Sequence, residues 1–292
     1  MRDPAASLRE CVRRALAEDL GSDLDVAADV TSRLSVPAGL RGRVRILAKA
    51  SGVAAGTACA QQAFAALDPS SSVTLRVADG KVFEAGTVLI EAEGVMRALL
   101  AAERTALNFL QRLCGVATLT RRFVDAVAGT RARILDTRKT TPGLRTLEKA
   151  AVVAGGGVNH RIGLFDQVLL KENHFRAALP VAYEDVVRRC VREQHAPVVA
   201  EARDLAEAAA AARGGAAVVL LDNFAPGAPL AAAVREVRSA AAGRSVLTEA
   251  SGGVTLATVR AFADSGVDRI SIGALTHSAT AVDLSLLVEG IS

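Results

Sequence analysis

Short apolar runs in the second half of the chain alternate with polar clusters and helical patterns. Each run is short enough for a buried strand and leads into residues whose apolar positions recur at helical spacing. Repeated strand-then-helix units predict parallel strands joined by right-handed crossovers. A barrel with its active site at the carboxyl ends of the strands is the simplest prediction, and an open doubly wound sheet is the alternative. The six runs are residues 134–135, 168–170, 198–199, 218–221, 246–247 and 270–272.

The first part of the chain has a different pattern. Apolar positions at helical spacing predict a helix over residues 4–20. From about residue 43 to residue 95, strand-like runs separated by glycine turns surround one helical stretch at 56–67, which predicts a small α+β domain. Residues 96–128 predict a long helical region, broken near Gly115.

The composition narrows the class of protein. Hydrophobic residues make up 51% of the 292 positions, whereas aromatic residues reach only 3% and Trp is absent. So few flat side chains argue against stacking on single-stranded nucleic acid. The net charge of +4 is spread along the chain without a block of Lys and Arg, so it indicates a site for small anions and no nucleic-acid partner.

The cysteines and the termini bear on the cellular compartment. The four cysteines lie far apart, without a CxxC pair or a histidine at metal-ligand spacing, so neither a disulfide framework nor structural zinc is expected. The N-terminal residues show no secretion signal, and the longest uncharged stretch contains glycines and glutamines. A cytoplasmic protein without a membrane partner is predicted.

Cationic residues concentrate where the apolar runs end. Arginine forks bind carboxylates through two hydrogen bonds, and lysine supplies a mobile charge suited to phosphate. Fixed positive charge at strand ends therefore predicts a substrate with carboxylates, phosphates or both. The alternative, solvated surface charge, does not explain why the cations follow apolar runs. The cluster contains Arg104, Thr137, Arg138, Lys139, His160, Arg161 and Lys171.

Two acidic residues complement these cations. Glu201 and Asp222 each close a separate apolar run, so a barrel would aim both at the same mouth. They are candidates to hold Mg²⁺ with a bound phosphate, to orient ribose hydroxyls or to stabilise a developing cation. Pairing with Lys139 or Lys171 is the plainer alternative.

Glycines follow the last two strands. Ser251, Gly252 and Gly253 occupy a predicted strand-to-helix turn, and Gly273 repeats the design one unit later. Backbone N–H groups freed at such turns form a cradle for anions, and late loops of many barrels bind phosphate. Among the histidines, His160 is the best functional candidate because a triple glycine precedes its segment, whereas His174 and His277 remain open between functional and structural roles.

Several strings resemble one known family, quinolinate phosphoribosyltransferase, also called carboxylating nicotinate-nucleotide pyrophosphorylase. The resemblance covers nearly the whole chain, and the TRKTTPG and NHRxGL strings are specific to it. It implies an N-terminal open α+β sandwich followed by an incomplete seven-stranded parallel α/β barrel of TIM-like type. The expected boundaries are 1–112, 113–273, and a 274–292 segment that packs back on the first domain. The strings are residues 103–111, 136–143, 155–163, 171–174, 220–224 and 251–253.

The resemblance also implies a reaction. Quinolinate and phosphoribosyl pyrophosphate, with Mg²⁺, would give nicotinate mononucleotide, pyrophosphate and CO₂. By the same resemblance, Arg138, His160 and Arg161 would hold the two quinolinate carboxylates. The catalytic set would be Lys139 and Lys171, contacting substrate and pyrophosphate, with Glu201 and Asp222 at the ribose and its magnesium.

The remaining roles follow from the same resemblance. Arg104 would reach the site of the partner in a homodimer, with a hexamer left open as a larger assembly. Two positions depart from the family pattern, where Val199 replaces a usual Glu and Ala150 a usual aromatic residue. The residues implied to cradle the 5′-phosphate are Ser251, Gly252, Gly253, Ser271, Ile272 and Gly273.

Three other functions compete with this interpretation. A paralogous phosphoribosyltransferase of molybdenum-transport operons shares the barrel, although Lys171 and Asp166 favour the quinolinate enzyme. A Schiff-base lyase or aldolase using Lys139 or Lys171 belongs to another class. A non-catalytic binder of anions or nucleic acid is suggested only by the basic isoelectric point near 9.1.

Overall fold

The computed structural model of the protein describes residues 4–193 and 196–291. Its first elements combine a helical N-terminus, short strands and one long helix. They are α1 (Pro4–Leu20), a 3₁₀ turn (Val26–Ala28), α2 (Val30–Ser35), β1 (Arg41–Ala48), β2 (Gly52–Val53), α3 (Thr57–Leu67), β3 (Ser72–Leu75), β4 (Val82–Phe83), β5 (Val88–Val95) and α4 (Met96–Ala126).

Strands and helices alternate from there to the last strand. They are β6 (Arg133–Leu135), α5 (Arg145–Ala154), β7 (Val168–Leu170), α6 (Glu172–Ala177), α7 (Tyr183–Glu193), β8 (Val198–Ala202), α8 (Leu205–Arg213), β9 (Val218–Asp222), α9 (Ala228–Ala240), β10 (Leu247–Ser251), α10 (Val259–Asp264), β11 (Arg269–Ser271), α11 (Ala274–His277) and β12 (Leu284–Ile291).

The chain divides into two compact units that are not continuous in sequence. The first unit contains the chain up to Arg121, Thr140–Gly156 and the chain from Leu275 onward. The second contains Arg122–Lys139 and Gly157–Ala274. Residues 140–156, assigned by the sequence to the barrel domain, thus cluster with the first unit.

The first unit is built on an antiparallel sheet in the order β12-β1-β5-β3. Along β1, buried and more accessible side chains alternate, which is the period-two pattern of a strand with one face against a core. The last strand, β12, pairs with β1 over its length, with Ala48 opposite Leu284 and Gly42 opposite Ile291. The N-terminal sheet therefore takes one of its edge strands from the end of the chain.

Helix α4 runs unbroken from Met96 to Ala126, so the predicted break near Gly115 was wrong. A tertiary contact, rather than a helix break, explains the glycine at position 115. A β-carbon at this position would lie 2.1 Å from the carbonyl oxygen of Thr280, too close for any side chain. The glycine therefore allows the C-terminal segment to cross the helix in direct contact with its backbone.

The second unit is built on a six-stranded parallel sheet in the order β6-β11-β10-β9-β8-β7. All six strands predicted from the apolar runs are confirmed. Strands β7 to β11 follow each other in sequence order, and the first strand, β6, pairs with the last, β11. A doubly wound sheet would reverse its order in the middle, so this order is that of a barrel. A parallel bridge between Leu135 and Val158 extends the sheet beyond β6.

Branched aliphatic side chains fill the interior of the parallel sheet. Val199, Val218 and Leu220 form a buried cluster against which Leu169 and Leu247 pack. Val199, at the position where the resemblance implies a Glu, is completely buried in this cluster, so it contributes an apolar side chain to the core. Among the described residues, no helix has both the length and the hydropathy needed to cross a bilayer.

Candidate active site

The predicted polar residues of the second unit lie at one edge of the parallel sheet. Parallel register places the carboxyl ends of the strands side by side, with Ser251 of β10 opposite Asp222 of β9 and Ser271 of β11 opposite Leu135 of β6. Glu201 lies in β8 beside Leu220 of β9. The fold thus brings residues distant in sequence to a common edge.

A fully buried carboxylate, Asp136, fixes the segment that follows the bridge at Val158. The backbone N–H of His160 donates to Asp136 Oδ1 at 2.7 Å, and Asp136 itself is 0% exposed. A charge-assisted hydrogen bond of this kind is stronger than a neutral one. Asp136 therefore ties the His160 segment to the end of β6.

His160 is held in one tautomer. Its Nδ1 accepts a hydrogen bond from the backbone N–H of Arg161 at 2.8 Å, so the ring proton of the neutral imidazole belongs on Nε2. Nε2 lies 3.3 Å from Oε1 of the fully buried Glu249. Both Glu249 oxygens nevertheless lack a partner with hydrogen-bond geometry, so the two groups are in contact without an aligned hydrogen bond. Both ring nitrogens of His160 thus face protein groups.

Arg161 and Arg138 place two positive charges close together. Arg161 Nη1 donates to the carbonyl of Gln167 at 3.1 Å, while its buried Nε has no hydrogen-bond partner. Burial and the nearby Arg138 guanidinium lower the pKa of Arg161, and Asp166 only partly opposes this. Positive charge held in this way favours an anionic ligand.

Asp166 shapes the loop beyond Arg161. Its carboxylate accepts the backbone N–H groups of Ile162 and Gly163 at 2.8 and 2.9 Å. Burial on its own would raise the pKa of Asp166, but these hydrogen bonds and Arg161 outweigh it, and the pKa is lowered.

Lys171 follows β7 as an exposed side chain at the start of α6. Its backbone N–H donates to His174 Nδ1 at 2.9 Å, which gives His174 a structural, helix-capping role. In β8, Glu201 accepts the backbone N–H of Glu172 through Oε1 at 3.1 Å. The backbone carbonyl of Glu201 accepts from the Tyr183 hydroxyl at 2.7 Å.

Asp222 closes β9 in a setting that disfavours its charge. Burial raises the pKa of Asp222, the neighbouring Glu201 carboxylate raises it further, and Lys171 and Lys139 partly offset these effects. Four groups predicted to share one site therefore interact electrostatically. Among the described residues, no group of three or more His, Cys, Asp or Glu side chains is placed to hold a metal ion.

The turn after β10 requires glycine. Gly252 has φ +99°, and a β-carbon there would lie 2.1 Å from Asn223 Oδ1 and 3.1 Å from the Asn223 backbone nitrogen. Gly253 has φ +61° with open space around it. Asn223 is itself left-handed and donates to Asp222 Oδ2 at 2.7 Å. The Ser251 loop and the Asp222 loop therefore form one packed unit.

The residues after β11 are more buried. Ser271 and Ile272 are 5% and 2% exposed. The N–H of Ile272 donates to the carbonyl of Leu135 at 2.9 Å, and the Ser271 hydroxyl lies 3.4 Å from the carbonyl of Ala250. Ile272 thus continues the sheet, and Gly273 is the first residue beyond it.

Arg104 belongs to the first unit. It lines a cleft of about 370 Å³ together with Arg14, Asn108 and Arg112. Thr141, Pro142, Gly143 and Leu144, which follow the predicted substrate-binding segment in the chain, form another wall of this cleft. The last predicted histidine, His277, contacts the Ser278 hydroxyl through Nδ1 at 2.6 Å.

Two site residues were missed from the sequence. Glu249 was seen only as part of a strand-to-turn string, because nothing in sequence pairs it with His160. Asn223 follows Asp222 directly, and its left-handed φ of 60° is a conformation in which Asn is enriched, so its identity was a usable signal.

Comparison with known proteins gives a consistent result. Residues 29–114 match the N-terminal domain and residues 116–287 the C-terminal domain of the family described as quinolinate phosphoribosyl transferase. The chain is 40% identical over 286 residues to nicotinate-nucleotide pyrophosphorylase [carboxylating] of Mycobacterium leprae, covering 95% of this chain and 96% of that protein. It is 37% identical over 300 residues to quinolinate phosphoribosyltransferase [decarboxylating] 1b of Nicotiana tabacum, covering 98% of this chain and 83% of that one.

Solved structures agree with the sequence comparison. The nicotinate-nucleotide pyrophosphorylase of Francisella tularensis superposes with a TM-score of 0.88 at 34% identity, covering 99% of this chain and 98% of that chain. The architecture, both domain matches and the relatives all point the same way, and the chain belongs to the quinolinate phosphoribosyltransferase family.

Proposed function

We propose that this chain transfers phosphoribosyl from phosphoribosyl pyrophosphate to quinolinate and decarboxylates it, giving nicotinate mononucleotide, pyrophosphate and CO₂. The observation that carries the proposal is the Arg138 and Arg161 pair. Arg161 is partly buried beside a second guanidinium, and its Nε has no hydrogen-bond partner. A dicarboxylate would relieve the repulsion between the two guanidinium groups and satisfy their donors.

In this proposal the two arginines bind the quinolinate carboxylates. His160 supports them indirectly, because its Nδ1 accepts the Arg161 N–H and its Nε2 faces Glu249. This differs from the direct carboxylate contact that the family resemblance suggested for His160. Thr137 stabilises the loop, since its hydroxyl accepts the backbone N–H of Lys139 at 3.0 Å.

The phosphoribosyl group would lie along the edge formed by β9, β10 and β11. The turn at Ser251, Gly252 and Gly253 would cradle the 5′-phosphate with backbone N–H groups, joined by Gly273. Ile272 would support this cradle rather than contact it, since its N–H is already bonded to Leu135. Ser271 is also buried and would likewise support the cradle.

Glu201 and Asp222 would act at the ribose. As pyrophosphate departs, positive charge develops at the anomeric carbon, and preorganised carboxylates stabilise it. Lys139 and Lys171, both exposed in the structure, would offset negative charge on the leaving group and the substrate. Decarboxylation then needs positioning rather than a covalent nucleophile, because the alkylated ring nitrogen accepts the electron pair.

The Glu201 and Asp222 carboxylates also suit Mg²⁺ bound with phosphoribosyl pyrophosphate. Carboxylate oxygens are the ligands this ion prefers, with substrate phosphates and water completing its shell. Burial raises the pKa of Asp222 and the Glu201 carboxylate raises it further, and a bound cation would relieve the repulsion between the two carboxylates. When bound, Mg²⁺ would neutralise charge on the pyrophosphate.

We further propose a homodimer in which Arg104 completes the site of the partner. The support is its position: Arg104 lies in the first unit, in a cleft with two other arginines, Arg14 and Arg112. A hexamer and the cytoplasmic location remain predictions from the sequence.

The direct test measures CO₂ and nicotinate mononucleotide from quinolinate, phosphoribosyl pyrophosphate and Mg²⁺. Equimolar products that require Mg²⁺ are expected. Arg138→Ala should lower kcat/KM by about 10- to 150-fold, the cost of a charge-assisted hydrogen bond of about 1.5–3 kcal/mol. Arg133→Ala, at the opposite end of β6, makes the same charge change and should leave kcat/KM unchanged. Equal losses in both variants, or a folded wild type without either product, would overturn the proposal.

A further inference from the structure

A partly buried ion pair in the first unit holds two segments that continue directly from the proposed site. Glu148 of α5 is 0% exposed, and its Oε1 accepts from Arg112 Nε at 3.1 Å and Nη2 at 2.8 Å. Arg112 lies on α4, two helical turns beyond Arg104. Neither residue contributes to the chemistry proposed above.

Glu148 also binds the chain just after Lys139. Its Oε1 accepts the Thr141 hydroxyl at 2.8 Å, and its Oε2 accepts the Thr141 backbone N–H at 3.0 Å. One carboxylate therefore receives two donors from Thr141 and two from Arg112. The segment containing Arg138 and Lys139 is followed, within two residues, by a doubly hydrogen-bonded anchor.

Arg112 meanwhile binds the chain just after Gly273. Its Nη1 donates to the carbonyl of Ala279 at 2.9 Å, and its Nη2 to the carbonyl of Thr276. The guanidinium thus uses all three of its nitrogen atoms. The segment after β6 and the segment after β11 are joined to one pair of side chains.

Stability alone does not account for this arrangement. A buried ion pair can often be replaced by apolar side chains of similar volume without loss of stability, because desolvation cancels much of the attraction. What apolar side chains cannot do is hold a backbone N–H and two carbonyl groups at fixed places. The pair is therefore suited to positioning.

We propose that Arg112 and Glu148 are positioning residues that fix the backbone following Lys139 and following Gly273 for phosphoribosyl transfer. This inference rests on the function proposed above. Small displacements of binding groups reduce rates strongly, with about 1 Å costing on the order of 10²-fold. Neither side chain has to touch a substrate to have this effect.

The test is the double variant Arg112→Met/Glu148→Leu, which keeps volume and removes the anchors. We expect a thermal midpoint within a few degrees of the wild type, and a fall in kcat of at least about tenfold, exceeding any rise in KM. Hydrogen exchange should increase in peptides covering 139–144 and 274–281 and remain unchanged elsewhere. A purely structural role would instead give a loss that follows the unfolded fraction and disappears on cooling.

The control is Glu184→Gln/Arg213→Gln. It removes an ion pair of 2.8 Å that joins α7 to α8 in the second unit, far in sequence from both anchored segments. Its activity and exchange pattern should match the wild type. If the control loses as much activity as the test variant, ion-pair loss in general is the cause and the inference is wrong.

A second variant covers the case in which the double variant does not fold. Thr141→Val preserves shape and removes only the hydroxyl bond to Glu148, so a several-fold fall in kcat and faster exchange over 139–144 are expected. Unchanged kcat and unchanged exchange in a folded variant overturn the inference. An inactive wild type would contradict the proposed function instead, and the exchange measurement would still decide whether the pair holds both segments.

Discussion

Asp222 occupies a position where its negative charge lowers the stability of the folded protein. Its carboxylate is partly buried beside Glu201, and both effects raise its pKa. The charged form, which the proposed mechanism requires for stabilising a developing cation, is therefore the form that the folded protein disfavours. Such conflicts are characteristic of functional sites.

Asp222→Asn should therefore be at least as stable as the wild type at pH 7 and much less active. A raised folded-state pKa means that the contribution of Asp222 to stability is fully present below the unfolded value of about 3.9 and is lost as pH rises through the folded value. The advantage of the Asn variant should accordingly shrink as the pH falls. Urea unfolding at several pH values measures this, and kcat should fall about 10²- to 10³-fold.

Asp166→Asn is the matched control, because the pKa of Asp166 is shifted in the opposite direction to that of Asp222. Its pKa is lowered in the folded state, so its contribution is present above the unfolded value and is lost as pH falls through the folded value. This variant should be less stable than the wild type at pH 7. A destabilised Asp222→Asn protein at pH 7 would show that the bond to Asn223 outweighs the charge penalty.

Gly252→Ala should be more damaging than Gly253→Ala. At Gly252 the β-carbon would meet the Asn223 side chain and backbone, at a φ of +99° that costs about 1–3 kcal/mol. At Gly253 the space is open, and φ +61° costs alanine about 1–2 kcal/mol. Thermal unfolding and KM for phosphoribosyl pyrophosphate compare the two variants, and equal effects would remove the special role assigned to Gly252.

Individual residues were predicted from the sequence where chemistry follows a strand directly. Arg138, Lys171 and Asp222 were proposed in this way, and their roles stay predictions. The contact between His160 and Glu249 was beyond reach, because the two residues lie 89 positions apart in the chain. The Arg112–Glu148 pair was missed for the same reason, since no local pattern joins two helices.

At the level of elements, α4 combines three tasks along one axis. It carries Arg104 into the arginine-lined cleft, Arg112 to the anchored segments, and Gly115 to the crossing of the C-terminal segment. Because an α-helix is stiff, the spacing between these three positions is fixed.

Gly115→Ala should destabilise the protein by about 1–3 kcal/mol, the usual cost of overpacking. In an ordinary helix interior the same change stabilises the folded protein by about 0.8–1 kcal/mol. The sign of the change in stability therefore distinguishes the tertiary contact from helix propensity. Asp125→Ala, at an exposed position of the same helix, should stay within about 0.5 kcal/mol of the wild type. Denaturant unfolding measures both, and a stabilised Gly115→Ala protein would show that the crossing chain moves away without cost.

Elements were well predicted where a pattern is long or is repeated. The six parallel strands followed from repeated short apolar runs, and the first helix followed from apolar periodicity. The break near Gly115 was wrong, because glycine was interpreted through its helix propensity while its tertiary contact decided the matter. The two-residue strands β2 and β4 are too short to leave a pattern of their own.

At the scale of the whole molecule, each unit is built from segments that are not contiguous in sequence. Residues 140–156 and the chain from Leu275 onward belong to the first unit, although the strands before them belong to the second. The family resemblance had led us to expect a 274–292 segment that packs back on the first domain. A boundary drawn from changes in pattern is continuous in sequence, however, so it could not assign residues 140–156 to the first unit. The overall class, a small α+β part and a barrel, was predicted correctly.

The proposed homodimer, in which Arg104 completes the site of the partner, makes a specific prediction. Mixing Arg104→Ala with Lys139→Ala should restore activity, because a mixed dimer contains one site with both residues intact. Random exchange at equal amounts should give about a quarter of wild-type activity. Exchange is confirmed by mass spectrometry of differently tagged subunits, and no recovery in confirmed mixed dimers would place Arg104 in its own subunit's site or outside any site.

The pairing of β12 with β1 also has a consequence for synthesis on the ribosome. Strand β1 emerges early, whereas its partner from Leu284 to Ile291 is translated much later. Until that partner has emerged, one edge of β1 lacks its native neighbour, and unpaired strand edges attract other chains. The nascent polypeptide therefore depends on rapid completion, and a stalled or truncated product should aggregate through this exposed edge.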